Sequence, residues 1–225
     1  MIMHLSAPAG ISVNDGIYKE EFSLAYTRVD NVAGLVACHG KGALMSKVDL
    51  SSAFRLIPIR PQDRPLLGRV WQSQYYVDLQ LPFGLRSAPA IFNRLADDLQ
   101  FILSHNYGIS HLNHYLEDFF MVGPPSPLPE RSTTAIQKKT IFAVFDALDI
   151  PVSDGIDKGV GLATQLKMLR ILIDSDAWTL SLPADKLSGL RTILGDWGRQ
   201  AQCRKRELLL LIGSLSFAAK VVPPG

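Results

Sequence analysis

The sequence predicts a mixed fold of helices and strands, α/β or α+β, from three observations. Short apolar runs of strand length, several ending in turn residues, fill much of the first 180 positions. Between them lie longer stretches whose apolar residues recur at helical spacing. Beyond Pro183 the pattern turns helical altogether. Two periods in one chain, with the helical part gathered at one end, point to a layered domain followed by a helical segment.

The elements follow in order. Leu44 to Leu50 reads as a strand closing near an acid, Asp49, and Arg55 to Ile59 as a short apolar run stopped by Arg60-Pro61. Leu66 to Trp71 and Gln74 to Leu79 read as a hairpin turning at Gln72-Ser73. Pro89 suits a first helical position, and Ile91, Leu95, Leu99 and Ile102 then repeat at helical spacing. Asp97 and Asp98 fall on the solvated side of that helix. His111 to Leu116 and Phe119 to Val122 form two short strands joined at Glu117-Asp118, and a Pro-rich loop covers 123–129. Ser132 or Thr133 caps the next helix, with Ile141, Phe145 and Leu148 as its apolar stripe. Leu166 to Asp174 and Trp178 to Leu182 pair around Ser175-Asp176-Ala177. In the tail, Leu187, Leu190 and Leu194 mark one helix and Glu207 to Lys220 another. A boundary falls near residue 183, and the closing VVPPG reads as the end of a fragment.

Composition narrows the classes. A 47% hydrophobic content suits a packed core and excludes a disordered tail. Lys and Arg total 23 against 21 Asp and Glu, a balance that leaves a nucleic-acid partner open, because a single basic cleft can sit on a nearly neutral chain. Cys38 and Cys203 lack metal-ligand spacing and argue against a disulfide framework or a zinc site. The first residues lack a signal-peptide pattern. The most apolar run, Leu208 to Ala219, falls short of the roughly 20 residues a spanning helix needs. An intracellular chain, cytoplasmic or nuclear, with no membrane partner is expected.

Three acids stand where chemistry could use them. Asp49 ends a strand, and Glu117 with Asp118 occupies a hairpin tip. Strand ends and tight turns hold side chains rigidly yet leave them accessible. Side by side, two such elements would offer several carboxylate oxygens to Mg²⁺, which takes one or two carboxylates together with substrate phosphates. A pair of ions about 4 Å apart serves phosphoryl transfer. An acid after a strand and Glu-Asp in a turn are also ordinary structural features.

Wider context favours chemistry. Lys47-Val48-Asp49-Leu50-Ser51-Ser52-Ala53-Phe54 resembles the first catalytic motif of reverse transcriptases, an Asp followed five residues later by an aromatic. LPFGLRSAPAIFNRL, Leu81 to Leu95, is similar to their second motif, a Gly-containing loop entering a helix. Tyr115-Leu116-Glu117-Asp118 falls where their Tyr-x-Asp-Asp hairpin belongs. SVNDGI, AFRLIPIRPQDRPLLG and KRELLLLIGSLSFAAKVVPPG resemble the DIRS-like retrotransposons, which pair a reverse transcriptase with a tyrosine recombinase.

The resemblance runs over nearly the whole chain and implies an α+β polymerase palm, an antiparallel sheet packed on helices. Partial fingers would occupy 1–43, the palm 44–182, and the helical start of the thumb 183–225. It implies RNA-directed DNA synthesis with two Mg²⁺ ions, or Mn²⁺, held by Asp49, Glu117 and Asp118. The partners it implies are an RNA or DNA template-primer and deoxynucleoside triphosphates. Phe54 would lie under the sugar, where its ring excludes a ribose 2′-hydroxyl, or is simply a core Phe. Phe83, Gly84 and Arg86 would touch nucleotide and template, with Tyr115 beside them, and Gly84 would allow close backbone approach. Lys158 would stand near the triphosphate as a proton donor to pyrophosphate, or is a solvated surface lysine. The RNase H and recombinase regions of such elements lie outside these 225 residues.

Three departures stand out. Glu117 replaces the first Asp of the paired motif and carries one extra methylene, enough to displace a metal-binding oxygen and cost about 100-fold in rate. Met168-Leu169-Arg170 stands where Phe-Leu-Gly is usual, on a hairpin that grips the primer. The Arg expected just before Ile2 and its upstream basic surface are missing, as in a truncated or decayed copy. An impaired polymerase is therefore expected. The competing class is a nucleic-acid-binding remnant using Arg199, Arg204, Lys205 and Arg206, residues that read equally as the solvated start of a helix.

Overall fold

The structure, a computed structural model, describes residues 4–153, 161–199 and 202–222. The chain divides into two compact units, neither continuous in sequence. The first comprises Met1–Thr27, Ser46–Met121 and Ala135–Gly161; the second comprises Arg28–Met45, Val122–Thr134 and Leu162–Gly225.

A three-stranded sheet of order β1-β5-β4 underlies the first unit, with β1 at Leu44–Asp49, β4 at Leu112–Tyr115 and β5 at Asp118–Gly123. β4 and β5 are antiparallel, Leu112 opposite Met121 and Tyr115 opposite Asp118. Their two-residue turn is therefore Leu116-Glu117, one position earlier than expected, and Leu116 carries the positive φ of 51° that such a tight turn demands. Phe119, Phe120 and Met121 are all fully buried, the mark of a central strand covered on both faces.

Two helices complete the core, α2 (Ala88–Tyr107) and α3 (Thr133–Ala147). The apolar stripe of α2 differs from expectation. Phe92, Ala96, Leu99 and Leu103 face the core, while Ile91, Leu95 and Ile102 lie half-buried along its edge. Ala96 and Ala88 are small and let the helix settle close, so the axis of burial passes through them instead of through the larger side chains. On α3, Ile141, Val144 and Phe145 are buried, and Phe145 meets Phe119 edge-on at 5.3 Å. Leu148 lies past the helix end and is exposed, so it does not extend the stripe. Asp97 and Asp98 are exposed as expected, although Asp97 also lies 2.9 Å from His114 Nε2 and so ties α2 to β4.

The run after Asp49 forms a 3₁₀ turn, Ala53–Leu56, and beyond it only an isolated bridge between Pro58 and Gln80. The next two strands form the expected ribbon, β2 (Gly68–Trp71) against β3 (Gln74–Val77), turning at Gln72 and Ser73 with φ of 48° and 60°. At its base the buried Asp78 carboxylate accepts from Arg55 at 2.7 Å and Arg69 at 2.9 Å. A carboxylate this enclosed is stable only when paired, so this fork fixes the ribbon to the segment that follows Phe54.

The second unit contains α1 (Val29–His39), which the sequence did not announce, and an antiparallel sheet of β6 (Gln165–Met168), β7 (Ile171–Asp174) and β8 (Thr179–Ser181). The single strand expected over 166–174 is thus two strands folded about Leu169-Arg170. Ser175 Oγ donates to the Ala43 carbonyl at 2.8 Å and closes the end of the sheet. The last helices are α4 (Ala184–Trp197) and α5 (Lys205–Ala218). Leu211 is the only buried residue described on either, while Leu187, Leu194, Leu209 and Leu210 are exposed. No described helix is long and apolar enough to cross a membrane.

The β6–β7 turn places two side-chain-bearing residues in the left-handed region, Leu169 at φ 51° and exposed Arg170 at φ 64°. Only glycine occupies that region without a steric cost of about 1 kcal/mol or more. Arg170→Gly is therefore expected to stabilise the chain by about 1 kcal/mol in urea denaturation, discounted for glycine's greater freedom when unfolded. A loss of stability would show that the Arg170 side chain makes a compensating contact.

Candidate active site

The ends of β1 and β5 meet at the acids. Asp49 closes β1, and Asp118 opens β5. Leu50 N donates to the Glu117 carbonyl at 3.0 Å, so the β4–β5 turn is stitched to the residue after Asp49. On the other flank Ser153 N donates to the Asp49 carbonyl at 2.8 Å and Ser51 N to the Pro151 carbonyl at 2.8 Å. These backbone bonds leave Asp49 little freedom, and its side chain is only 8% exposed.

β1 and β5 are neighbours in the sheet, and the Leu50–Glu117 bond sets Asp49, at the end of one, against Asp118, at the start of the other. Lys47, two residues before Asp49 on β1, places its ammonium 2.7 Å from Asp118 Oδ1. Burial raises the Asp118 carboxyl above its ordinary value, the Lys47 ammonium opposes that rise, and the neighbouring Asp49 carboxyl adds to it. Glu117 behaves differently. It sits half-buried in the turn, and its Oε2 is enclosed without a hydrogen-bond partner. Among the described residues no three acids, histidines or cysteines converge closely enough to share one ion.

The remaining expected site residues lie in the same unit except where undescribed. Phe54 follows the 3₁₀ turn and is 8% exposed, with ring centroids 5.1 Å from Phe83 and 5.3 Å from Phe92. It is a core residue that abuts the exposed Phe83. Tyr115 ends β4 and tilts against Tyr26 at 5.3 Å. Gly84 has φ of 91°, a backbone conformation side-chain-bearing residues rarely adopt. The Arg86 guanidinium donates to the Ile17 carbonyl at 2.8 Å. Lys158 lies outside the described residues. In the second unit Arg204, Lys205 and Arg206 are exposed at the start of α5, with Arg199 exposed just before.

Two residues of the site escaped the sequence patterns. Lys47 could have been found, because positions two apart on a strand share a face, which sets it beside Asp49. Asn14 could not, since it lies in a 3₁₀ turn, Val13–Gly16, distant in sequence from its partners. Its side-chain amide is buried and clamps the Gly84 loop at two points. Nδ2 donates to the Gly84 carbonyl at 2.8 Å, and Arg86 N donates to Oδ1 at 2.7 Å. Asn14→Ala would leave both backbone groups unpaired and is expected to cost about 1–3 kcal/mol in urea denaturation. An unchanged midpoint would mean that water replaces the amide and that the loop does not depend on it.

Similarity to known proteins places the chain in a family. The pattern of the family described as reverse transcriptase (RNA-dependent DNA polymerase) matches residues 13–146, more than half of the chain. The retrovirus-related Pol polyprotein from transposon opus of Drosophila melanogaster is 24% identical over 148 residues, which make up 66% of this chain and 14% of that polyprotein. Among solved structures, the foamy viral protease-reverse transcriptase dRH in complex with double-stranded DNA superposes with a TM-score of 0.67 at 18% identity, over 92% of this chain and 32% of that one. The same protein in complex with an RNA/DNA hybrid gives 0.61 at 20% identity, over 87% and 24%. The chain thus spans a minor part of each relative and shares their fold. From the extent of the family match, the chain belongs to the reverse transcriptases.

Proposed function

We propose that this chain is the RNA-directed DNA polymerase domain of a retroelement polyprotein, of the DIRS-like kind that also encodes a tyrosine recombinase. The convergence of Asp49 and Asp118 from two different strands carries the proposal. Strand ends fixed by backbone hydrogen bonds can hold two carboxylates together at a cost in repulsion that a purely structural site has no reason to bear. Fingers at 1–43, palm at 44–182 and thumb from 183 is the partition that accompanies it.

Reverse transcriptases generally use divalent metals, and the donor set here is suited to one. Asp49 and Asp118 supply the hard oxygen ligands that Mg²⁺ or Mn²⁺ prefers, and substrate phosphates would supply others. Two such ions, when bound, activate the primer hydroxyl and stabilise the leaving oxygen. Glu117 fits less well, since its side chain is one methylene longer than the Asp usual at that place. The protein's own part is positioning. Asp49 and Asp118 orient the reacting groups, the Phe83–Arg86 loop contacts template and nucleotide, and the Phe54 ring backs the sugar site. The substrates are deoxynucleoside triphosphates and an RNA or DNA template-primer.

A binding-only role is the alternative. The Glu at 117 in place of Asp and the exposed Arg204, Lys205 and Arg206 favour it. Such a chain would bind an RNA–DNA hybrid with an affinity that falls steeply with salt.

Primer extension on an RNA template with Mg²⁺ separates the two. Extension by the parent chain is expected to be slow, to rise by about 100-fold in Glu117→Asp, and to vanish in Asp49→Ala. Extension that survives Asp49→Ala would defeat the assignment of the carboxylate pair. Silence from Glu117→Asp alongside salt-sensitive hybrid binding would establish the binding-only role instead.

A further inference from the structure

The motifs that suggest a polymerase give Lys47 no role, yet the chain pairs it with one of the two acids. Its ammonium lies 2.7 Å from Asp118 Oδ1, and the two side chains are only 16% and 25% exposed. Bulk water screens the contact weakly at that depth, so it is a stronger interaction than a surface ion pair. The residues flanking Lys47 on β1 pin it. Ser46 and Val48 are wholly buried on the opposite side of the pleat, which directs Lys47 and Asp49 to one face.

We propose that Lys47 is the resident counter-cation of the Asp49–Asp118 pair, a positioning residue that holds Asp118 in place without metal and yields it to an entering divalent ion. The inference rests on the polymerase assignment of that pair and deepens it by naming what governs metal entry.

Charge explains why the residue would be needed. Two carboxylates at adjoining strand ends repel, and a partly enclosed site magnifies the repulsion. With Lys47 the three groups sum to a single negative charge. Without it the sum is two, which a divalent ion balances in full. Lys47 and an ion therefore draw on the same Asp118 carboxylate, and each weakens the hold of the other. By linkage, removing Lys47 destabilises the metal-free fold and strengthens metal binding. An ordinary structural ion pair would show only the first effect.

The test uses the full chain and Mn²⁺ alone as probe. Mn²⁺ affinity is read by electron paramagnetic resonance, and melting temperature is recorded in EDTA and in Mn²⁺. Lys47→Met is expected to melt lower than the parent in EDTA, to bind Mn²⁺ at least about tenfold tighter, and to regain the parent's melting temperature when Mn²⁺ is added. Lys47→Arg keeps the charge and is expected to match the parent in all three. Lys47→Gln keeps a donor without the charge and carries the same expectation as Met should that variant not fold. Equal Mn²⁺ affinity in parent and Lys47→Met, or a melting loss that Mn²⁺ does not restore, overturns the role of Lys47 alone. Absence of Mn²⁺ binding from every variant overturns the metal assignment of the pair as well.

Discussion

The end of β1 is fastened to the start of β5, and the candidate site depends on that juncture. One backbone bond, Leu50 N to the Glu117 carbonyl, aligns the two elements. It sets the end of β1, with Asp49, against the start of β5, where Lys47 pairs with Asp118. The buried Phe119, Phe120 and Met121 hold β5 immobile beneath them, and α2 and α3 pack against that layer through Phe92 and Phe145. A core of this density keeps strand ends from relaxing under the repulsion of two acids. The fold therefore pays for electrostatic strain at one edge with apolar packing behind it.

Much of this was legible in the residues. Strand and helix periods announced β1, the β2–β3 ribbon, α2, β4 and β5, and the helical tail. What was lost was lost for identifiable reasons. α1 buries Val29, Val32 and Val36, but its β-branched residues and Gly34 weaken the helical signal, and Arg28 is an uncommon residue before a helix. The β6–β7 turn is hidden because Leu169-Arg170 lacks the Gly or Asn that marks such turns. The apolar repeat of α2 marks Leu99 in the core and Ile91, Leu95 and Ile102 along its edge, while the small Ala88 and Ala96 that also face inward carry little apolar signal.

At the site, spacing and resemblance singled out Asp49 and Asp118, which the structure brings together. They also singled out Glu117, whose Oε2 is enclosed in the turn without a hydrogen-bond partner. A sequence pattern records position along a hairpin, but it does not record where one added methylene sends a carboxylate. Asn14 shows a different limit. Its clamp on Gly84 and Arg86 spans some 70 positions of sequence, and no local period carries such a contact. The positive φ of Gly84 is the feature that clamp preserves, so a residue far from the acids shapes the loop proposed to meet the nucleotide.

Diffraction from crystals grown with Mn²⁺, a template-primer and a non-hydrolysable nucleotide tests the central claim most directly, because anomalous scattering locates the ion without relying on turnover. An anomalous peak bonded to carboxylate oxygens of both Asp49 and Asp118 is expected. A peak coordinated elsewhere, or by Glu117 without Asp118, would contradict it.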